Sequence, residues 1–478
     1  MFRLLLCLLS LNLLAQEETP PAAGSYEITV EVADYAEDLL TLGYYLLDNQ
    51  YIVDTAYRNA QDQFVFASDT AALPKGIYIV VLSPDNQFFQ LLVGNDDDQV
   101  FSLKTTKDKL GQVVVTGSQE NALFYDYLTF LDGMQKEGGP LRDQLRDSTS
   151  SEATQTAARS RLEELDTEVK TFQQQLIDEH PDAFVSAIVQ ANRPALPPDF
   201  PEIADEELRR ERQWRWLQQH YFDGIDLTDE RLLRTPFLFE RIDYFVNTLQ
   251  VRHPDTLARA IDHVLGQFEP LSEAFKYYTV HFTNEAAGSN IVGMDALYVH
   301  LVDTYYRTGK AYWSDDDQLG KMTETVDRLR PLLIGQTAPD LRMVTREGAD
   351  ITLHGVEADY TVLYFWRYDC PACKKSTPHM KEFYAKWRDR GVKIFSVCTK
   401  GVEEIGKCWE YVDEQGTGDW VQVADPYQRY YKSYDIKSTP SIFLLDKDKQ
   451  IVSKRIGAEQ LDEVLTNLQQ AAATAAGK

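Results

Sequence analysis

The residues with the clearest chemical potential are Cys370 and Cys373, two thiols separated by Pro371 and Ala372. The run before them, Thr361-Val-Leu-Tyr-Phe-Trp366, reads as an apolar strand. Pro371 suits the first position of a helix, where a missing N–H costs nothing. Disulfide exchange needs a thiolate as the attacking group. Unpaired backbone N–H groups and the helix dipole at an N-terminus stabilise that anion. Cys370, at the helix start, is therefore the expected nucleophile. Cys373, a turn further in and shielded, is the expected partner that closes the disulfide and releases a bound thiol. Lys374 and Lys375 add positive charge nearby.

The same spacing could form half a zinc site. Cys398 and Cys408, however, are ten residues apart and make no second close pair, so no metal is expected. Both are expected to be reduced thiols, because only a tight turn between a strand end and a helix could join them; the alternative is a second disulfide, which the even cysteine count and export permit. Asp96-Asp97-Asp98 reads as an acidic turn rather than a calcium loop, and the His-Pro-Asp tripeptides at 180–182 and 253–255 read as helix-end turns. His220, His263, His281 and His300 show no ligand-type spacing with cysteine or acid partners.

Around these residues the hydrophobic period changes twice. Residues 25–117 alternate as short strands (28–32, 42–47, 51–57, 64–67, 77–82, 88–93, 100–103 and 112–115) separated by turn signals, the pattern of an all-β sandwich. From 118 to 331 the period is helical. Leu162, Leu165, Val169, Phe172 and Leu176 form a seam that predicts a helical hairpin, and the four prolines within 192–201 mark a break in this all-α domain. From 332 to 478 the pattern is mixed α/β. Strands are expected at 360–366, 392–398, 420–423, 441–445 and 450–454, with helices at 371–390, 402–413 and 458–471.

Three motifs occur in order in this last region: Gly335-Gln-Thr-Ala-Pro-Asp340, then Phe365-Trp366 ahead of Cys370, then Ser438-Thr439-Pro440 before an apolar strand. Together they resemble the TlpA-like, AhpC/TSA-like thiol–disulfide oxidoreductases of the thioredoxin superfamily. Residues 25–330 are similar to the β and helical domains of unknown function that precede such modules in exported Bacteroidota proteins. The resemblance implies a thioredoxin-like fold for 332–478, in which the strand ending at Cys398 lies parallel to the active-site strand. It also implies that Pro440 is a cis-proline facing the disulfide. The Thr439 backbone would then pair with an extended substrate, and Trp366 would pack beside the redox pair. No cofactor is implied beyond the Cys370–Cys373 disulfide. One departure stands out: the family's buried acid falls here on Tyr364 or Ser376, neither of which takes a proton at neutral pH. Asp369 and His379 are the nearest titratable alternatives in sequence.

Two other functions compete with this one. A peroxiredoxin-type peroxidase would place Pro-x-x-x-Thr-x-x-Cys before Cys370, and that spacing is absent. A binding or scaffold protein with a relic thioredoxin domain is the other.

The first residues carry an expectation about the compartment. Arg3, an apolar run over 4–14 and Ala15 form a short signal peptide (1–16), so the mature chain is expected to begin near Gln16 and to reside in the periplasm or cell envelope without membrane insertion. The expected partners are therefore envelope protein thiols and disulfides, with an unidentified membrane electron donor or acceptor. With 75 acidic against 48 basic residues, a net charge of −27, the chain is unsuited to nucleic acid or anionic membranes.

Overall fold

The computed structural model describes residues 24–94 and 99–476. The leader and Asp96-Asp97-Asp98 lie outside the described residues. The chain divides into two compact units, Met1–Phe245 and Val246–Lys478, and the division falls inside the helical span.

In the first unit, strands β1 (Tyr26–Ala33), β2 (Leu39–Leu46), β3 (Asn49–Tyr57), β4 (Phe64–Ser68), β5 (Gly76–Leu82), β6 (Gln87–Val93), β7 (Val100–Thr106) and β8 (Val114–Thr116) form two sheets among the described residues, ordered β4-β1-β7-β8 and β3-β2-β5-β6. The period-2 pattern of β1 buries Tyr26, Ile28 and Val30. These share one apolar cluster with Leu40, Leu42, Tyr78 and Val80 of the other sheet. Helix α1 (Gln119–Arg146) is capped by Ser118 and tied to β6 through Asn121, whose amide exchanges two 2.8 Å hydrogen bonds with the Leu92 backbone. The predicted hairpin is α1 with α2 (Glu152–Glu179), where Phe130 and Phe172 stack with ring centres 4.1 Å apart. The buried carboxylate of Glu120 accepts from the backbone N–H groups of Phe184 and Val185 (3.0 and 2.8 Å), anchoring the start of α3 (Phe184–Asn192). After the proline-rich break come α4 (Glu206–His220) and α5 (Pro236–Asp243).

The second unit opens with α6 (Pro254–Leu265), α7 (Glu273–Gly288), α8 (Asp295–Leu301) and α9 (Asp316–Leu329). The two His-Pro-Asp turns do sit at helix ends: His180 closes α2 and His253 caps α6. There follow β9 (Arg342–Thr345), β10 (Asp350–Thr352), β11 (Tyr360–Trp366), α10 (Pro371–Trp387), β12 (Val392–Cys398), α11 (Ile405–Gln415), β13 (Val421–Ala424), β14 (Ser441–Asp446), β15 (Ile451–Lys454) and α12 (Leu461–Ala476). The seven-stranded sheet has the order β10-β9-β13-β12-β11-β14-β15. As expected, β12 runs parallel to β11, with Trp366 opposite Cys398. The short hairpin β9–β10 was not expected. Three or four residues such as Arg342–Thr345 are too few to display alternation.

β11 is an interior strand of the sheet and is buried on both faces, which explains its unbroken apolar run. Val362, Tyr364 and Trp366 face a cluster supplied by α10, α11 and α12. Leu363 and Phe365 face a second cluster containing Phe395, Tyr430, Tyr434 and Phe443. The edge strand β15 is fastened to the helices of its unit by a buried ion pair between Lys454 and Asp295 of α8. Among the described residues no helix is long and apolar enough to cross a membrane.

Candidate redox site

The site forms where β11 ends and α10 begins. Cys370 is the N-cap of α10, with extended backbone angles (φ −85°, ψ 115°), and its sulfur accepts the Cys373 backbone N–H at 3.1 Å. Pro371 occupies the first helical turn, where its missing donor is not needed. Both thiols are free, and their exposure differs: Cys370 is 5% exposed and Cys373 is 0%.

Their electrostatics differ in the same direction. Burial pushes the Cys370 thiol up. The hydrogen bonds it receives from the Cys373 side chain and backbone, from Thr439 and from the Ala372 backbone outweigh that and hold it below the ordinary thiol value. For Cys373 the balance is reversed. Burial first, then its hydrogen bond with Cys370, pushes it up to about 12; hydrogen bonds from the Arg367 backbone and from Thr439 pull its thiol down but are outweighed.

β14 pairs antiparallel with β11 in a register that sets Phe365 opposite Ser441, and this brings the preceding Thr439-Pro440 segment to the redox pair. The Thr439–Pro440 peptide bond is cis, and the Cys370 thiol donates to the Thr439 carbonyl at 3.1 Å. Trp366 lies in the same apolar cluster as both cysteines, but in the interior, 3% exposed. Its indole N–H donates to Ser396 Oγ at 2.7 Å, and its carbonyl accepts from the Thr399 backbone at 2.9 Å. Its place is packing beneath the pair.

The two nearby titratable groups point elsewhere. Asp369 pairs with Lys400 Nζ at 2.9 Å, which holds its carboxyl below the usual range, and Lys400 also meets Glu404. His379 is exposed on α10. Tyr364 is buried against the pair, and Ser376 is half-buried. Among the described residues no group of three or more His, Cys, Asp or Glu could hold a metal ion.

One expectation is overturned. Cys398 and Cys408 are not reduced thiols but a disulfide, with Cα atoms 6.4 Å apart. Backbone hydrogen bonds from Glu404 and Ile405 to the Gly401 carbonyl turn the chain sharply after β12. That turn lays the first turn of α11 over the strand end. Thr377 and Tyr411 were not expected at the site. Thr377 donates to the Cys373 carbonyl (2.9 Å) and lies 3.2 Å from the Tyr411 hydroxyl. The signal for Thr377 was its place one turn after Cys373; Tyr411 arrives from another element and left none.

Comparison with known proteins finds matches to the C-terminal region that holds this site. A family model for the AhpC/TSA family matches residues 334–454. The thiol-disulfide oxidoreductase ResA of Bacillus thuringiensis (strain Al Hakam) is 32% identical over 132 residues, covering 28% of this chain and 74% of that protein. The sporulation thiol-disulfide oxidoreductase A of Bacillus subtilis (strain 168) is 32% identical over 124 residues, 25% of this chain and 74% of that one. A solution structure of a thiol:disulfide interchange protein from Bacteroides sp. is 28% identical, with a TM-score of 0.26, covering 28% of this chain and 88% of that one.

Proposed function

Because this chain belongs to the TlpA-like thiol–disulfide oxidoreductases of the thioredoxin superfamily, we propose that it exchanges disulfides with proteins of the cell envelope through Cys370 and Cys373. The observation that carries this reading is the asymmetry of the pair. One sulfur keeps slight exposure and is held toward the thiolate at a helix N-terminus; the other is fully enclosed and held as a thiol.

The Cys370 thiolate attacks one sulfur of a substrate disulfide, forming a mixed disulfide and releasing the first substrate sulfur as a thiolate. Cys373, once deprotonated, attacks Cys370 Sγ. The second substrate sulfur leaves, and two electrons have passed from the pair to the substrate. The same steps in reverse oxidise a dithiol. An extended substrate segment pairs with the Thr439 backbone beside Pro440, and Trp366 supports the pair from below. The disulfide is its own cofactor, recharged by a membrane electron donor or acceptor.

Residues 332–478 are the catalytic module. The β-sandwich of 25–117 and the helices of 118–331 provide docking or spacing, and the leader over 1–16 directs export. The test is a pair of variants. Cys370→Ser should bring turnover of a small disulfide substrate down to the uncatalysed rate. Cys373→Ser should accumulate envelope proteins as mixed disulfides on Cys370. Turnover that survives in Cys370→Ser would refute the assignment.

A further inference from the structure

Closing the disulfide requires Cys373 as a thiolate inside an apolar cluster, where burial opposes ionisation. The Arg367 backbone and Thr439 already favour that charge, but burial outweighs them, so a further donor is needed. The titratable groups that face Cys373 are Cys370 at the helix start, Tyr364 from β11 and Tyr411 from α11. The charged groups of the adjoining loops, Arg367, Asp369, Lys400 and Glu404, pair with one another at the rim.

Tyr364 is the unusual member. It is 2% exposed, on the same face of β11 as Trp366, and its hydroxyl is buried without a hydrogen bond of ordinary geometry. Its polar neighbours are Cys373, Tyr411 and Cys370, with Thr377 close enough for only a weak, poorly aligned hydrogen bond. Buried phenols normally have a partner, and an unmet one costs about 1–3 kcal/mol. The Thr377 hydroxyl is engaged with the Cys373 carbonyl, and its oxygen lies 3.2 Å from that of Tyr411. Burial keeps Tyr364 protonated well above neutral pH, so it is a donor and not a base.

We propose that the Tyr364 hydroxyl is the donor that receives the Cys373 thiolate, through a hydrogen bond made only as that sulfur loses its proton. A neutral thiol is a weak acceptor, whereas a thiolate draws a charge-assisted bond. The interaction is therefore stronger in the reacting state than in the resting one, which is the condition for accelerating a step. The proton leaves for solvent past Thr377 Oγ1 and the half-buried Tyr411 hydroxyl. The thiolate then attacks Cys370 Sγ, the S–S bond to the substrate breaks, and the departing sulfur takes a proton from solvent. Tyr364 ends as it began.

This inference rests on the exchange reaction proposed above, and the two can fail separately. A mixed disulfide is formed between Cys370 and a peptide thiol, and its resolution is followed by stopped flow from about pH 6 to about pH 10. In Tyr364→Phe, which keeps the ring and removes an unmet polar group, resolution should be about 10- to 100-fold slower at neutral pH. Attack by Cys370 should be unchanged, thermal stability equal or higher, and the rise with pH displaced upward. Replacing Tyr364 with the more acidic fluorotyrosine should speed resolution, and that arm stands even if the Phe variant fails to fold. Parental resolution rates in both variants would overturn the inference. Failure of Cys370 to form the mixed disulfide at all would instead overturn the exchange reaction.

Discussion

Cys370–Cys373 and Cys398–Cys408 contribute to the same apolar cluster, yet they differ in every property that governs thiol chemistry. The first pair lies at a helix N-terminus, with one sulfur slightly open to solvent and held low by donated hydrogen bonds. The second joins the end of β12 to α11, with both residues 0% exposed. Sharing a core does not make a cysteine reactive; an N-cap position with a path to solvent does. The Cys398–Cys408 bond acts as a staple. It fastens α11, and three residues beyond Cys408 that helix presents Tyr411, whose ring lies 5.5 Å from that of Trp366.

The strongest challenge to this contrast is to remove the staple. Cys398→Ala with Cys408→Ala should lower stability by about 2–4 kcal/mol in denaturant melts, since a short closed loop is freed in the unfolded chain. Attack by Cys370 on a small disulfide should keep its parental rate. A folded double variant with no exchange would erase the distinction between chemistry and scaffold.

A smaller effect is expected at Trp366, which sits opposite Cys398 in the sheet and beneath Cys370. Ser396→Ala removes the acceptor of its buried indole N–H. The unmet donor should cost about 1–3 kcal/mol in urea unfolding, with exchange unaffected. A loss of exchange without a loss of stability would show that Trp366 does more than pack.

The contrast also marks how far the sequence could be read. The active-site strand and the start of its helix were legible, because the apolar run 360–366 and Pro371 are local signals. β12 was legible for the same reason. The Cys398–Cys408 bond depends on a turn around Gly401 that no periodicity reports. The β9–β10 hairpin was too short to show alternation. The Lys454–Asp295 pair joins residues far apart in sequence, and nothing local in either segment points to the other. Thr439–Pro440 entered through a family motif, and what places it at Cys370 is the register of β14 on β11. Contacts within one element were readable. Contacts set by the meeting of two elements were not.

The most direct test of the account is the order in which the cysteines are alkylated, read peptide by peptide by mass spectrometry from about pH 6 to about pH 10. Cys370 should be labelled first. Its rate should level off below the ordinary thiol value of 9.0, because its folded-state pKa is lowered. Cys373 should lag and still be rising at the alkaline end, consistent with a thiol pushed up to about 12. Cys398 and Cys408 should stay unlabelled until a reductant is added to the unfolded chain. Labelling of Cys373 ahead of Cys370, or of Cys398 in the folded unreduced protein, would contradict it.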